Sequence, residues 1–412
     1  MNKQDLTLLT DLYELTMMQG YYKKGQHETV VFDVFYRHNP CGNGYSVCAG
    51  LDQVIDYIKN LNFTYEDVDY LRSLHIFDDD FLQYLSGFHF TGDIYAIPEG
   101  SVVFPKEPLL KVIAPIMEAQ LVETTILNLI NHQSLIATKT SRVVYAADGD
   151  GIMEFGLRRA QGPDAGLYGA RAAIIGGCVG TSNVLAGQLF DVPVMGTHAH
   201  SWIMTFPDEY TAFKYYAELY PDNCTLLVDT YDTLKSGVPN AIRVFQEFKD
   251  AGKPLKKYGI RLDSGDLAYL SKKARKMLDE AGFPDASICA SNDLDEYLLH
   301  DLKAQGAAIN SWGVGTHLIT SKDCPSFGGV YKLSAIKNEN GEFIPKIKIS
   351  ENTEKITNPG NKTIYRVYEK ETGKIKADLI CFADETFDES QDLLLFDPLE
   401  TWKKTKLAGG TY

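Results

Sequence analysis

Hydrophobic residues along this chain change their spacing several times, and each change predicts a different local structure. Leu8, Leu12, Leu15 and Met18 recur at helical intervals, which predicts a helix over residues 8–18 with Thr10 or Asp11 at its N-cap and Tyr13 just inside it. From Thr29 to Arg37 the pattern becomes alternating, with Val30, Phe32, Val34 and Tyr36 on one face of a predicted strand, and a Pro-Cys-Gly-Asn-Gly loop follows at 40–44. Residues 51–90 read as short helices. Three runs at 93–97, 102–104 and 109–113, separated by Pro or Gly, read as a small antiparallel sheet, and helical spacing returns from Met117 to about Thr140.

Beyond residue 150 the pattern becomes regular. Short apolar runs recur at Met153–Phe155, Val192–Met195, Thr225–Val228, Tyr258–Leu262, Ser287–Ala290 and Ile309–Gly313, with helical segments between most of them. Strands that alternate with helices imply a parallel sheet, and six such units suggest a complete or partial α/β barrel rather than an open sheet. In barrels the functional groups sit at the C-terminal ends of the strands. The residues that follow these runs are Arg158 and Arg159; His198 and His200; Asp229 and Asp232; Asp263-Ser264-Gly265-Asp266, with Arg261 just before; Ser291-Asn292-Asp293; and Gly313-Val314-Gly315-Thr316. Asp and Gly at any one of these places are ordinary turn residues. Their coincidence around one mouth points to an enzyme.

Composition narrows the class without changing that picture. A chain of 412 residues with 44% hydrophobic and 23% charged residues is an ordinary globular protein, long enough for two domains. The formal net charge of −15 excludes a nucleic-acid partner, because binding a phosphate backbone needs a basic face. Met1-Asn2-Lys3-Gln4 is a polar start and no apolar span reaches membrane-crossing length, so a cytoplasmic protein with no membrane partner is expected. Seven scattered cysteines without a Cys-x-x-Cys pair read as free thiols.

The stretch Gly196-Thr197-His198-Ala199-His200-Ser201 carries the most informative chemistry. Two histidines spaced i, i+2 after a strand-like run share a side, and they could hold a metal, carry a proton or phosphoryl group, or form a structural pair. A metal-dependent barrel hydrolase would need further ligands, and the only later histidines are His300 and His317. Arg158 and Arg159 suit a carboxylate or phosphate, Asp263 and Asp266 suit ribose hydroxyls or magnesium, and the glycines at 313 and 315 suit a phosphate. Together they favour an anionic, phosphorylated sugar substrate. A barrel serving only as a metabolite sensor would have no need of the full set.

Taken in order, Thr10-Asp11-Leu12-Tyr13, Phe155-Gly156-Leu157-Arg158-Arg159, Gly180-Thr181-Ser182-Asn183, the His198/His200 stretch, Val228-Asp229-Thr230-Tyr231-Asp232, Arg261-Leu262-Asp263-Ser264-Gly265-Asp266 and Trp312-Gly313-Val314-Gly315-Thr316 resemble the signature of the nicotinate phosphoribosyltransferase family. That resemblance implies a type II phosphoribosyltransferase fold of class α/β. An irregular, incomplete α/β barrel over 117–332 would carry the active site, and an α+β sandwich domain would form from both chain ends, 1–116 with 333–412. The run Thr363–Tyr368 would complete the sandwich sheet, and the region beyond about 335 has structure without chemistry.

The resemblance also implies roles. The family joins nicotinate to 5-phosphoribosyl 1-diphosphate and couples this to ATP hydrolysis through a phosphohistidine, here His200, with Asp229 orienting the ring and His198 a wall residue. Nicotinate would meet Tyr13, Phe155, Arg158 and Ser182. Phosphoribosyl diphosphate would meet Arg142, Arg261, Asp263, Ser291, Asn292, Gly313, Gly315 and Thr316, with Mg2+ at Asp263. Similar nicotinamide-using enzymes carry Asp at the position of Ser182, and the fold relative quinolinate phosphoribosyltransferase has no phosphohistidine. A homodimer is expected, with the active site at the subunit interface and Tyr13 crossing from the partner.

Overall fold

The computed structural model describes residues 5–352, 355–397 and 400–412, so the polar start at 1–4 lies outside the described residues. Strands run in chain order as β1 (Thr29–Tyr36), β2 (Ser46–Val47), β3 (Asp93–Ala96), β4 (Val102–Val103) and β5 (Leu110–Pro115). There follow β6 (Gly151–Glu154), β7 (Gly180–Thr181), β8 (Cys224–Leu227), β9 (Tyr258–Leu262), β10 (Ser287–Ala290) and β11 (Ser311–Val314). Last come β12 (Gly329–Lys337), β13 (Phe343–Pro345), β14 (Lys362–Tyr368), β15 (Ile375–Phe382), β16 (Leu393–Phe396) and β17 (Lys404–Leu407). The chain forms two compact units, 1–131 with 326–412 and 132–325. The sequence placed the joints at 116/117 and 332/333. No change of pattern marks 131/132, because it lies inside one continuous helix, Glu123–Ala146.

The first unit is built on a five-stranded antiparallel sheet ordered β13-β12-β1-β5-β3. Its central strand, β1, is buried along Val30–Tyr36 on both faces, although the sequence alternation predicted one. Asp33 on the second face is tolerated because Lys362 pairs with it at 2.6 Å while also donating to the Asn358 and Gly360 carbonyls. Phe32 stacks on Tyr331 at 4.6 Å, and each such side chain fully removed from water contributes about 1.5–3 kcal/mol. Two expectations fail here. Val102–Val103 pairs with Ser46–Val47 instead of joining the sheet of its neighbours. Among the described residues the 363–368 run pairs only with β15, and β12 and β13 are the strands from the chain's second end that extend the main sheet.

The N-terminal helix spans Leu12–Lys24 and follows Asp11. Inside it, Glu14 is fully buried and accepts the Thr124 N–H at 2.8 Å together with the Thr10 hydroxyl. It thereby caps the helix Glu123–Ala146 from a distant part of the chain. Burial pushes the Glu14 carboxyl from the usual 4.5 up to about 7, against the pull of the Thr124 hydrogen bonds. Between those values the folded chain keeps a proton that the unfolded chain has released. The contribution of Glu14 to stability is therefore fully present below about pH 4.5 and is lost as pH rises towards 7, by about 3 kcal/mol for a shift of this size. Glu14→Gln removes that contribution to the slope. Thermal melts of both proteins from pH 5 to pH 8 should show the wild-type midpoint falling relative to the variant, and parallel curves would refute the assignment.

The second unit holds a six-stranded parallel sheet ordered β7-β6-β11-β10-β9-β8, a curled half-barrel wrapped by helices. Among the described residues β7 and β8 do not pair, so the barrel is incomplete. Four of the expected strands stand in place. The fifth, Ile309–Gly313, is shifted to Ser311–Val314, and Val192–Met195 is no strand. That segment is extended chain touching β7 through one bridge, Thr181 to Val194. Pro193 has no N–H to continue a ladder, so the segment stays a single bridge beside Gly180–Thr181, a strand too short to show in an apolar pattern. None of the seven cysteines is in a disulfide among the described residues, and Cys41 and Cys324 are only partly buried. Among the described residues no helix is long and apolar enough to cross a membrane.

Candidate active site

Because β6 to β11 are parallel, the loops after them emerge along one edge of the sheet. The segment 191–199 reaches the same edge, and the two histidines separate there. His198 turns inward and is buried. The Leu227 N–H donates to its Nε2 at 3.3 Å, Nδ1 lies 3.4 Å from the Ala199 carbonyl, and Tyr216 meets the ring edge-on at 4.7 Å. Burial holds this imidazole down at about 4, so it is neutral with its proton on Nδ1. His200 instead opens the helix His200–Met204 and stays partly exposed. The strand geometry that would have put both rings on one side is absent, and no group of three metal-ligating side chains occurs among the described residues.

Two other loops, those after β8 and β9, converge on His200. Its Nδ1 is 3.0 Å from the Thr230 hydroxyl, and its Nε2 is 3.8 Å from Asp229 Oδ1 and 3.8 Å from Asp263 Oδ2. The Asp229 side chain is 2% exposed. Its Oδ2 accepts the Asp263 N–H at 2.8 Å and the Ser264 hydroxyl at 2.7 Å, while Oδ1, facing His200, has no hydrogen-bond partner. Burial alone would raise the Asp263 carboxyl. The Ser291 hydroxyl and the Arg261 guanidinium outweigh that effect and hold it below the usual carboxylate range. Sequence reading named Asp229 and His200 but missed Thr230 as the partner of Nδ1.

Arg261 ties the mouth together. Its Nη2 donates to Asp263 at 2.9 Å, Nε to Ser291 at 2.8 Å and Nη1 to Thr197 at 2.8 Å, and its guanidinium lies 6.0 Å from the Phe155 ring centre. Ser291 in turn donates to Asp263. Phe155 keeps its place because Gly313 has no side chain; a Cβ there would stand 2.5 Å from the ring. Gly313 lies within β11, so its role is room for Phe155, whereas Gly315 and Thr316 open the short helix Thr316–Ile319. Asn292, after Ser291, adopts φ 104°, a conformation strained for a residue other than glycine and concentrated at functional loops.

The remaining expected residues are placed less tightly. Arg158 and Arg159 are exposed on the turn Leu157–Arg159 that follows Phe155, and Ser182 is partly buried after β7. Arg142 is held by the start of the helix that follows β10, with Nε 3.3 Å from Glu296 and Nη2 donating to the Tyr297 hydroxyl at 3.1 Å. Tyr13 belongs to the first unit and is 45% exposed on the helix Leu12–Lys24.

Comparison with known proteins assigns the chain. The nicotinate phosphoribosyltransferase family model matches residues 151–372, its N-terminal domain model residues 8–131 and its C-terminal domain model residues 361–411. The chain is 52% identical to the nicotinate phosphoribosyltransferase of Bacillus subtilis over 398 residues, covering 96% of this chain and 80% of that one. This chain belongs to the nicotinate phosphoribosyltransferase family. The crystal structure of human nicotinic acid phosphoribosyltransferase superposes with a TM-score of 0.83 at 30% identity, covering 98% of this chain and 87% of that one. A nicotinate-nucleotide pyrophosphorylase from Pyrococcus furiosus shares the fold, with a TM-score of 0.70 at 23% identity over 100% and 92% of the two chains. The family also reaches 361–411, where the sequence offered no motif of its own.

Proposed function

We propose that this chain joins nicotinate to 5-phosphoribosyl 1-diphosphate, forming nicotinate mononucleotide and diphosphate for NAD synthesis in the cytoplasm, and that ATP hydrolysis drives the reaction through a phosphoryl group on His200. The arrangement around His200 carries this reading. Two carboxylates beside Nε2 favour a proton there, which leaves Nδ1 as the free base. The Thr230 hydroxyl holds that lone pair until a phosphoryl group arrives. Attack by Nδ1 on the terminal phosphorus of ATP forms the N–P bond, breaks the P–O bond to ADP and places positive charge on a ring already flanked by Asp229 and Asp263.

In the transfer itself the pyridine nitrogen of nicotinate attacks C1 of the ribose while the C1–O bond electrons leave with diphosphate. Positive charge builds on the sugar, so the protein must grip the leaving group and aim the ring. Phe155 offers a flat face for the pyridine, with Arg158 and Ser182 beside the carboxylate. Asn292, Gly315 and Thr316 supply loop and helix-start donors for phosphate, with Arg261, Asp263 and Ser291 towards the ribose and Arg142 behind them. A magnesium ion, which prefers one or two carboxylates plus phosphate oxygens, would be held by Asp263 and would neutralise charge on the diphosphate. A homodimer would bring Tyr13 of a second copy to the other face of the pyridine; its exposure beside the exposed Leu12 and Met17 supports this.

The reading is tested with purified protein, nicotinate, 5-phosphoribosyl 1-diphosphate and Mg2+, with and without ATP. Nicotinate mononucleotide should form faster with ATP. Equal turnover of nicotinamide would overturn the base assignment, and no response to ATP would overturn the role of His200.

A further inference from the structure

Glu154, the last residue of β6, is fully buried and has no part in the chemistry above. Its carboxylate accepts one hydrogen bond from the paired strand β7 and one from its own turn. The Thr181 hydroxyl donates to Oε2 at 2.6 Å, and the Gly156 N–H donates to Oε1. Its backbone carbonyl accepts the Ser182 N–H at 3.0 Å. Thr181 continues the chain by accepting the Asn183 N–H at 3.0 Å, and the Asn183 side chain caps the helix Val184–Phe190. One side chain therefore ties the turn that carries Phe155 to the turn that carries Ser182.

The type of residue matters as much as its place. No cation lies among its hydrogen-bond partners, and burial raises its carboxyl above the usual range against the pull of Thr181 and Gly156. A buried carboxyl held only by neutral donors costs stability that an apolar residue of the same size would not. The turn also has no slack, since a Cβ on Gly156 would stand 2.5 Å from Ile319 and 2.9 Å from Glu154 Oε1. Two neutral donors aimed at one carboxylate, one from β7 and one from the turn after β6, fix a spacing rather than neutralise a charge.

We propose that Glu154 is a positioning residue that sets the distance between Phe155 and Ser182, and through it the affinity of the site for a flat pyridine carboxylate. This rests on the base site assigned above. Glu154→Gln keeps the shape, and its amide oxygen can still accept from Gly156. Its NH2, however, faces the Thr181 hydroxyl, whose hydrogen loses its acceptor. Thr181→Val removes the same link from the other end, and Thr181→Ser restores it.

Steady-state kinetics decide the matter. Glu154→Gln and Thr181→Val should each raise KM for nicotinate about tenfold, as expected for one lost buried hydrogen bond at a ligand contact, with KM for 5-phosphoribosyl 1-diphosphate within about twofold of wild type. Thr181→Ser should return KM for nicotinate to near the wild-type value. Equal rises in both KM values, or a loss of thermal stability with neither KM changed, would overturn the proposal by reducing Glu154 to a structural residue. If Glu154→Gln does not fold, the Thr181 pair still gives the answer. Phe155→Ala is run in parallel. If it leaves KM for nicotinate unchanged, the base site itself is misplaced; if it raises KM while the Glu154 and Thr181 variants do not, only the positioning inference fails.

Discussion

His200→Ala is expected to abolish the stimulation of nicotinate mononucleotide formation by ATP while slow transfer continues. The two activities separate because the variant removes the phosphoryl acceptor but leaves Phe155, Arg261, Asp263 and the phosphate loops in place. At saturating ATP the rate should fall by roughly 10²-fold or more, the scale on which a directly participating group acts. A second readout is chemical. Protein incubated with ATP labelled at its terminal phosphate should acquire acid-labile label, and the variant should not. Asp229→Asn should weaken labelling without eliminating it, because Asp263 still faces Nε2 at 3.8 Å. Stimulation that survives in His200→Ala would remove the residue from the mechanism.

The second large effect is one of specificity. Ser182→Asp should lower kcat/KM for nicotinate on the order of 10²-fold and raise it for nicotinamide. A carboxylate there faces the substrate carboxylate in a partly buried site, where repulsion between like charges at contact distance amounts to about 3–4 kcal/mol before solvent and counter-ions reduce it. The same group can accept a hydrogen bond from a carboxamide N–H, which supplies the gain for nicotinamide. With Arg158 in its proposed place, a cation near both carboxylates would moderate the loss. The measurement is the ratio of the two kcat/KM values in wild type and variant, and an unchanged ratio defeats the specificity argument.

Much of the half-barrel was legible because buried parallel strands are written as short apolar runs, and β8, β9 and β10 are such runs ending in Asp, Ser or Asn. The active-site edge followed from the rule that parallel strands present their C-terminal loops together. What escaped detection depends on contacts between distant residues. Thr230 is unremarkable in sequence, and only the approach of His200 from 30 residues away gives its hydroxyl a partner. Val192–Met195 has the composition of a strand, but Pro193 interrupts the ladder and leaves a single bridge beside the two-residue β7. Asp33 looked like the polar side of an alternating strand until Lys362 covered it. Glu154 sat within an apolar run with nothing to show that both its oxygens bind turns.

Arg261 donates to Thr197, Asp263 and Ser291, all groups of the protein itself, so the fold alone immobilises its long side chain. An arginine free to rotate carries about 2 kcal/mol of rotamer entropy that a ligand would have to overcome on arrival. Here folding has already met that demand. Substrate encounter at this edge of the sheet then needs little rearrangement, and differences in affinity among variants around Arg261 should appear mainly in how fast substrate leaves, not in how fast it arrives.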